Sequence, residues 1–415
     1  MKASVVYFKL GLRNILKNRR RSFVTLFSLA AGFSAIALFT GYTSYVYQGL
    51  ALHAISGEML GHLTVAKKGY ALGSQMDPER YFFSSDELSR LTDTLKTDSN
   101  VDFVSPRISI QGLFSNGTAS VVFIGEGIVA EHVNRVRKAI AEESGLPLPP
   151  LKMDNEASAI VATDLARIMG VKPGDSAVLF GSSLAGMANA VDVDVADTVN
   201  TGAQATNDKY LLIPFRHAQS LLDTDGASRV QVMLKDPSEI DQQRSRVEAM
   251  LKNAGLDVEV NTWVEMSNSY QPIRNLFNMI FLFIFSIVLT ISITSVINTM
   301  GMVVVERTRE IGTLRALGMH RFQVINLFSV EGMLLALLGG VIGTGTSVLL
   351  AQLVNRLDMS YVPPNFSEKV ALQVDIQLPQ LAVIFVFFLL LGTLAALVPA
   401  WNASKRRIVD ALGHV

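Results

Sequence analysis

Glu306-Arg-Thr-Arg-Glu-Ile-Gly-Thr-Leu-Arg-Ala-Leu-Gly318 is a dense run of opposed charges between two long stretches that are almost free of charge. The stretch 275–305 contains no Asp, Glu, Lys or Arg, and the stretch 322–355 contains only Glu331. Each is longer than the roughly 20 apolar residues that cross a bilayer as a helix. The run therefore predicts a short helix held between two membrane spans. Its density of opposed charges indicates a surface that grips a separate, soluble protein.

The same reasoning extends to the rest of the chain. The stretches 22–57 and 376–404 also lack charged side chains. Hydrophobic residues make up 49% of the chain and charged residues 17%, which is typical of a membrane protein with a substantial aqueous domain. The predicted spans are 22–47, 275–305, 322–353 and 378–400.

The orientation follows from the positive residues that flank the spans, because Lys and Arg are retained on the cytoplasmic side. They concentrate in 1–21, 306–321 and 401–415, and these segments share one side if there are four spans. The short loop 354–377 on the other side has few Lys or Arg residues. Both termini are predicted to be cytoplasmic. In 1–21, apolar and basic residues recur at helical spacing, which indicates either an amphipathic helix lying on the inner leaflet or a helical flank that is merely positive.

A region of mixed periodicity, 48–274, separates the first two spans and must lie outside the cytoplasm. We predict an α+β domain there, with an inserted subdomain at about 125–208 on a base built from the segments next to the spans. Pro-rich 145–150 and polar 200–208 are the breaks that suggest the insertion. Strands are predicted at 101–110 and 121–124, and strands of the base at 209–214 and 230–235. Helices are predicted at 131–143 and 240–253.

No catalytic constellation is found in the sequence. There is no G-x-x-x-x-G-K-[ST] loop to hold nucleotide phosphates, so ATP and Mg are expected on a separate subunit. The six histidines are scattered, there is no cysteine, and no metal site is predicted. The acidic run 191–197 could be a cation site, but its alternation is typical of a strand with one wet face. The zero net charge gives no reason to expect a nucleic-acid partner.

The order of one span, a large external domain and three closely spaced spans, together with 306–318, resembles the MacB/FtsX-type (type VII) family of ABC transporter permeases. Within the family the chain resembles the lipoprotein-releasing LolC/LolE type. The family pattern E-R-x-x-E-I-G-x-L-R-A-L-G forms a cytoplasmic coupling helix seated in a groove of the ATPase, and all its fixed positions are present. Pro399, Ala400 and Ala403 match the P-A-x-x-A ending, although Ile408 stands where proline is usual.

The resemblance implies contact with the ATPase for a set of residues in the coupling segment, 306–321. These are Glu306, Arg307, Glu310, Ile311, Gly312, Leu314, Arg315, Ala316 and Gly318. In the third span, Glu331 is either a functional relay or a buried hydrogen-bonding group that joins spans or the coupling segment, and we favour the structural role. Close helix packing, or a subunit interface, is expected at Gly339, Gly340, Gly343 and Gly345.

The resemblance implies a permease subunit in the bacterial inner membrane that works by mechanotransmission with an ABC ATPase dimer and a second permease copy or paralogue. It would extract or move a lipoprotein or another lipid-linked substrate, so membrane lipids and a periplasmic carrier or adaptor are possible partners. A membrane-anchored binding protein that needs no ATPase is the non-transport alternative, and two alternatives within the family also stay open. One is export of a small molecule or peptide through a periplasmic adaptor, and the other is FtsX-like signalling to a cell-wall hydrolase.

Overall fold

The computed structural model of the protein describes residues 11, 13–15, 17, 19–74, 76–144, 149–267, 269–362 and 369–405. Its helices are α1 (Arg19–Leu52), α2 (Tyr70–Gly73), α3 (Pro78–Tyr81), α4 (Ser85–Lys96), α5 (Ala130–Ser144), α6 (Thr163–Met169), α7 (Gln204–Asn207), α8 (Phe215–Leu222), α9 (Ile240–Asn253), α10 (Trp263–Met266), α11 (Tyr270–Glu306), α12 (Thr308–Ala316), α13 (Arg321–Arg356) and α14 (Leu378–Lys405). Its strands are β1 (Leu63–Lys67), β2 (Val101–Ser115), β3 (Ser120–Ile128), β4 (Ser158–Ala162), β5 (Ser176–Ser182), β6 (Ala188–Val199), β7 (Tyr210–Pro214), β8 (Arg229–Leu234), β9 (Val258–Thr262), β10 (Ser360–Tyr361) and β11 (Val370–Ala371).

Within these described ranges, α1, α11, α13 and α14 are the helices long and apolar enough to cross a membrane. Each of the four predicted spans lies inside one of them. The shortest has 28 residues, which is more than the roughly 20 that a bilayer requires. Together with the mixed α/β domain between the first two, they confirm the predicted fold class. The chain divides into a helical unit (1–47, 274–360 and 371–415) and an extracytoplasmic unit (48–273 and 361–370).

The closest helix packing in the helical unit joins α13 to α14 through small residues. A Cβ atom added to Gly332 would collide with the Cβ atom of Ala396 and lie 3.0 Å from the carbonyl oxygen of Gly392. A Cβ atom on Gly392 would lie 2.5 Å from that of Ala336. Because the contacting residues of both helices are glycine or alanine, the two backbones approach each other closely. Helices associate in this way in membranes, where no hydrophobic driving force exists between them.

Replacement of Gly332 by alanine is therefore expected to destabilise the helical unit. The added methyl group must push α14 away, and overpacking of this kind costs about 1–3 kcal/mol. Gly345→Ala in the same helix is the matched control, because an added Cβ atom there meets nothing within 4 Å. Thermal unfolding of the two purified variants in detergent measures the difference. Equal melting temperatures would show that the α13–α14 contact is not tight.

The extracytoplasmic unit contains two sheets that share strand β2. The base sheet has the order β2-β8-β1-β9 and is antiparallel throughout. Its inner face packs on α4 and α9, with Leu91 and Leu251 fully buried among the strand residues. In β2, residues 101–107 pair with β8, and residues 108–115 leave the base and pair with β3.

The second sheet closes on itself as a barrel. Its strands follow one another as β2-β3-β7-β4-β6-β5 and return to β2 where Leu113 pairs with Phe180. The interior is filled by fully buried side chains such as Phe114, Phe123 and Leu179, and α8 packs against it. Closure leaves these six strands without a free edge between them.

The barrel covers a longer stretch of the sequence than the predicted subdomain. It begins at residue 108 within β2 and ends after α8, whereas the predicted bounds were 125–208. The segment 209–214 was predicted as a base strand, but it is β7 and pairs with β3 and β4 in the barrel. The reason is that β2 runs through both sheets. The other strands and helices predicted in this unit are confirmed, and residues 145–148 of the predicted connector lie outside the described residues.

Candidate functional site

The coupling segment forms a short helix with a defined start and end. Arg307 is the single residue that separates α11 from α12, and its backbone leaves the helical conformation. At the other end, Gly318 has φ of +100°, a conformation that favours glycine. Its N–H bonds to the carbonyl of Arg315, and the N–H of Met319 bonds to that of Leu314. This is the Schellman arrangement that ends a helix and satisfies its last carbonyls.

One face of α12 is buried against the helical unit. Thr308, Ile311 and Gly312 lie on it, spaced as one stripe of a helix. Ile311 packs in an apolar cluster with Val324 and Phe328 from the start of α13. Ile311 and Gly312 were predicted to contact the ATPase, but in the structure they seat α12 on the spans, because the stripe that carries them is its apolar one.

The opposite face of α12 is exposed and carries charges together with bulky apolar side chains. Leu317, at the helix end, is 81% exposed, and Leu314 is 39% exposed. The side chain of Glu310 is 65% exposed. Leu317 belongs to the family pattern but was not among the residues predicted for coupling, and only the structure shows which leucine is outermost. The remaining exposed residues of this surface are Arg309, Thr313, Ala316 and Gly318.

Glu306 and Arg307, also predicted for coupling, contact residues near the N-terminus of the chain. Glu306 pairs with Arg21, and since both side chains are about two-fifths exposed, such a pair contributes no more than about 1 kcal/mol. Arg307 donates to the side-chain oxygen of Asn14. Asn14 in turn donates to Glu331, which is 2% exposed. Glu331 is therefore bonded directly to Asn14 and linked through Asn14 to Arg307, which supports the structural role.

The glycines of α13 are placed against other spans of the same chain. A Cβ atom on Gly339 would lie 2.7 Å from the Cβ atom of Leu29, and one on Gly343 would lie 2.7 Å from that of Phe33, both in α1. Gly340 faces Phe385 of α14. Among these glycines, Gly345 meets nothing within 4 Å.

A buried charge cluster in the extracytoplasmic unit was not found from the sequence. Arg107, which is 2% exposed, donates two hydrogen bonds to the side-chain oxygen of Gln231 at 2.7 and 3.2 Å. Arg229 forms an ion pair with Glu126. This cluster lies where β2 leaves the base sheet and enters the barrel, because 107 is the last residue paired with β8. It joins the two sheets by polar contacts.

The pKa values in this cluster reflect burial first and the mutual charges second. Burial lowers the pKa of Arg107, and the neighbouring Glu126 offsets only part of that effect. Burial also opposes the charge of Arg229, but the attraction of Glu126 prevails, so the pKa of Arg229 is raised. Burial raises the pKa of the Tyr210 hydroxyl, and Glu126 raises it further. Tyr210 therefore stays neutral.

Comparison with known proteins identifies the class to which this geometry belongs. The family model described as FtsX-like permease C-terminal matches residues 282–408, which include α12 and the last two spans. The lipoprotein-releasing system transmembrane protein LolC of Xylella fastidiosa (strain Temecula1) is 21% identical over 419 residues, covering 98% of each chain. The macrolide export ATP-binding/permease protein MacB of Chromobacterium violaceum is 24% identical over 426 residues, covering 98% of this chain and 60% of that one.

A solved structure, the periplasmic region of MacB from Actinobacillus actinomycetemcomitans, aligns with 53% of this chain and 96% of its own at 16% identity and a TM-score of 0.36. That score is too low to support an argument. The decisive agreement is between the span order, the coupling segment and the relatives that match along the whole chain. Residues 282–408 match the FtsX-like permease C-terminal family, and along its whole length the chain is similar to MacB- and LolC-type ABC transporter permeases.

Proposed function

We propose that the protein is the permease subunit of an ABC transporter whose ATPase is a separate chain that docks on the exposed face of α12. One observation carries the proposal: α12 is seated through Ile311 on the spans and turns Glu310, Leu314 and Leu317 outward. Exposed apolar side chains grouped on one surface and bordered by polar residues mark a candidate site for a protein partner. Four spans would place the docking face and both termini on the side of the membrane opposite the extracytoplasmic domain, so they would be cytoplasmic.

The working cycle would convert closure of an ATPase dimer into movement of the spans. Arg307 alone joins α12 to α11, and residues 317–320 join it to α13, so a push on α12 acts on two spans through short connections. A second permease copy or a paralogue would sit on the other ATPase subunit. The substrate would be a lipoprotein or another lipid-linked molecule handled outside the cytoplasm, since the LolC relative that matches the whole chain is named for lipoprotein release.

A second candidate function is export of a small molecule or peptide with a periplasmic adaptor. It is supported by the MacB relative, which is named for macrolide export and matches 98% of this chain. Signalling to a cell-wall hydrolase is the third, and it rests on the FtsX-like resemblance of the sequence. The three functions share the docking face and differ in the extracytoplasmic partner.

Purification of the tagged protein from its host in mild detergent, with mass spectrometry of the proteins that co-elute, tests the proposal. An ABC ATPase in the same peak is the expected result, and a lipoprotein, an adaptor or a hydrolase beside it would select among the three functions. If the chain elutes without an ATPase while a known ABC complex survives the same procedure, the docking proposal is wrong.

Leu317→Asp is expected to weaken binding of that ATPase about tenfold or more. Burial of a leucine side chain at an interface contributes about 1.5–3 kcal/mol, which the variant loses. Leu357→Asp is the matched control, because Leu357 is also exposed, at 59%, but lies at the opposite end of α13. Pull-down at graded ATPase concentrations measures both. Equal affinity of the two variants would exclude Leu317 from the interface.

A further inference from the structure

Gly11, Asn14 and Ile15, which precede the first span, pack on the third span. Gly11 makes this approach possible, because a Cβ atom there would lie 2.7 Å from Leu334 Cδ1 and 3.7 Å from the Cα atom of Glu331. Ile15 is buried in the same apolar cluster as Leu334. The N-terminal segment, defined here by the described residues among 11–17, is therefore a packed part of the helical unit at the level of Glu331.

Asn14 uses both ends of its amide group in this packing. Its Nδ2 donates to Glu331 Oε2 at 3.3 Å, and its Oδ1 accepts from Arg307 Nη2. The orientation of the amide follows from chemistry, because an arginine can only donate and therefore requires the oxygen. Asn14 is 7% exposed and Glu331 is 2% exposed, so both bonds are shielded from water. A carboxamide suits this position because it donates and accepts through two different atoms.

Arg307 extends these contacts to the docking face. It is the residue between α11 and α12, and its Nε lies 3.7 Å from Glu310 Oε2 on the exposed side of α12. A continuous set of polar contacts thus runs from Glu310 at the surface, through Arg307 and Asn14, to Glu331 inside α13. Asn14 is far in sequence from the residue to which it donates, since 317 positions separate it from Glu331.

We propose that Asn14 is a positioning residue that fixes α12 to α13 through the N-terminal segment, so that force applied at the docking face reaches the third span. The inference rests on the proposed function, in which an ATPase pushes on α12. It adds that the push is transmitted through a side chain outside the coupling segment. Without Asn14, Arg307 would lose its buried acceptor, and α12 would be held to α13 less tightly, through the packing of Ile311 and the connection 317–320.

The first readout needs no ATPase. The chain has no cysteine, so Thr313→Cys on the exposed side of α12 gives a unique site for a spin label. In the full-length protein in nanodiscs, Asn14→Leu is expected to increase the mobility of the label, because leucine fills a similar volume without forming either hydrogen bond. Arg13→Gln, an exposed neighbour in the same segment, is the control and is expected to leave the mobility unchanged.

The second readout separates positioning from folding. With the co-purified ATPase, Asn14→Leu is expected to reduce ATPase stimulation about tenfold, the size that loss of hydrogen bonds to charged groups gives, while the ATPase still binds. Asn14→Asp places two carboxyl groups face to face and is expected to have a similar effect. Glu331→Gln added to Asn14→Asp is expected to restore stimulation to within about twofold, because glutamine then donates to the aspartate and Arg307 keeps its acceptor.

Unchanged label mobility and full stimulation in Asn14→Leu would overturn the proposal, and so would failure of Glu331→Gln to rescue Asn14→Asp. If Asn14→Leu does not fold, the rescue pair decides. If the unmodified protein never retains an ATPase, the docking proposal fails on its own, and the label mobility still decides whether Asn14 fixes α12.

Discussion

Charge reversal at Glu310 is expected to abolish stimulation of the partner ATPase while leaving the permease folded and inserted. The Glu310 side chain is 65% exposed on the outward face of α12, and its ionic contact within the chain is a pair with Arg307 at 3.7 Å. A groove that accepts this carboxylate must offer positive charge or hydrogen-bond donors, and a lysine would meet it with like charge. Breaking such a contact at an interface costs about 2–5 kcal/mol. ATP hydrolysis by the reconstituted complex measures the effect.

The control for Glu310→Lys is Glu142→Lys in the extracytoplasmic unit. Glu142 is 70% exposed and has a basic neighbour on its own helix, Lys138 at 4.0 Å, so the two substitutions disturb their own helices in the same way. Glu310→Gln should fall between the reversal and the unmodified protein. Full stimulation in Glu310→Lys would remove this residue from the docking face.

Loss of Arg229, the largely buried cation that pairs with buried Glu126, is expected to destabilise the extracytoplasmic unit by about 3–5 kcal/mol. Arg229→Met leaves the carboxylate of Glu126 buried without its ion-pair partner, and the Glu126 Oε2 atom already has no hydrogen-bond partner among the described residues. A domain has a total stability of about 5–15 kcal/mol, so this is a large fraction of it. Urea unfolding followed by the fluorescence of Trp263, with Trp401 replaced by phenylalanine, reports on this unit.

Two variants make the prediction about Arg229 specific. Glu126→Leu combined with Arg229→Met removes both charges and is expected to regain most of the stability, because a buried pair replaced by apolar groups is often neutral. Arg135→Met removes a half-exposed partner of Asp102 and is expected to cost less than about 1 kcal/mol. Equal losses in Arg229→Met and Arg135→Met would show that burial of the Glu126 pair has no energetic weight.

Local features of the sequence were sufficient for the helical unit. The four spans could be predicted because each is a continuous apolar run longer than a bilayer requires. The position of the coupling segment could be predicted because its charges follow one another between two such runs. The helix end at Gly318 is also a local feature, since the residues of a Schellman ending are neighbours in the chain.

The faces of α12, the barrel and the buried contacts were decided by tertiary structure. Ile311 and Leu314 are both apolar positions of one motif, and only packing against the start of α13 shows that the first is buried and the second exposed. The barrel closes through pairs such as Leu113 with Phe180, and β2 changes partners at Arg107. Asn14, Arg307 and Glu331 meet across most of the chain. Sequence alone determined the features that are continuous stretches of the chain, namely the spans and the coupling segment. Contacts between distant residues depend on how the folded elements pack together.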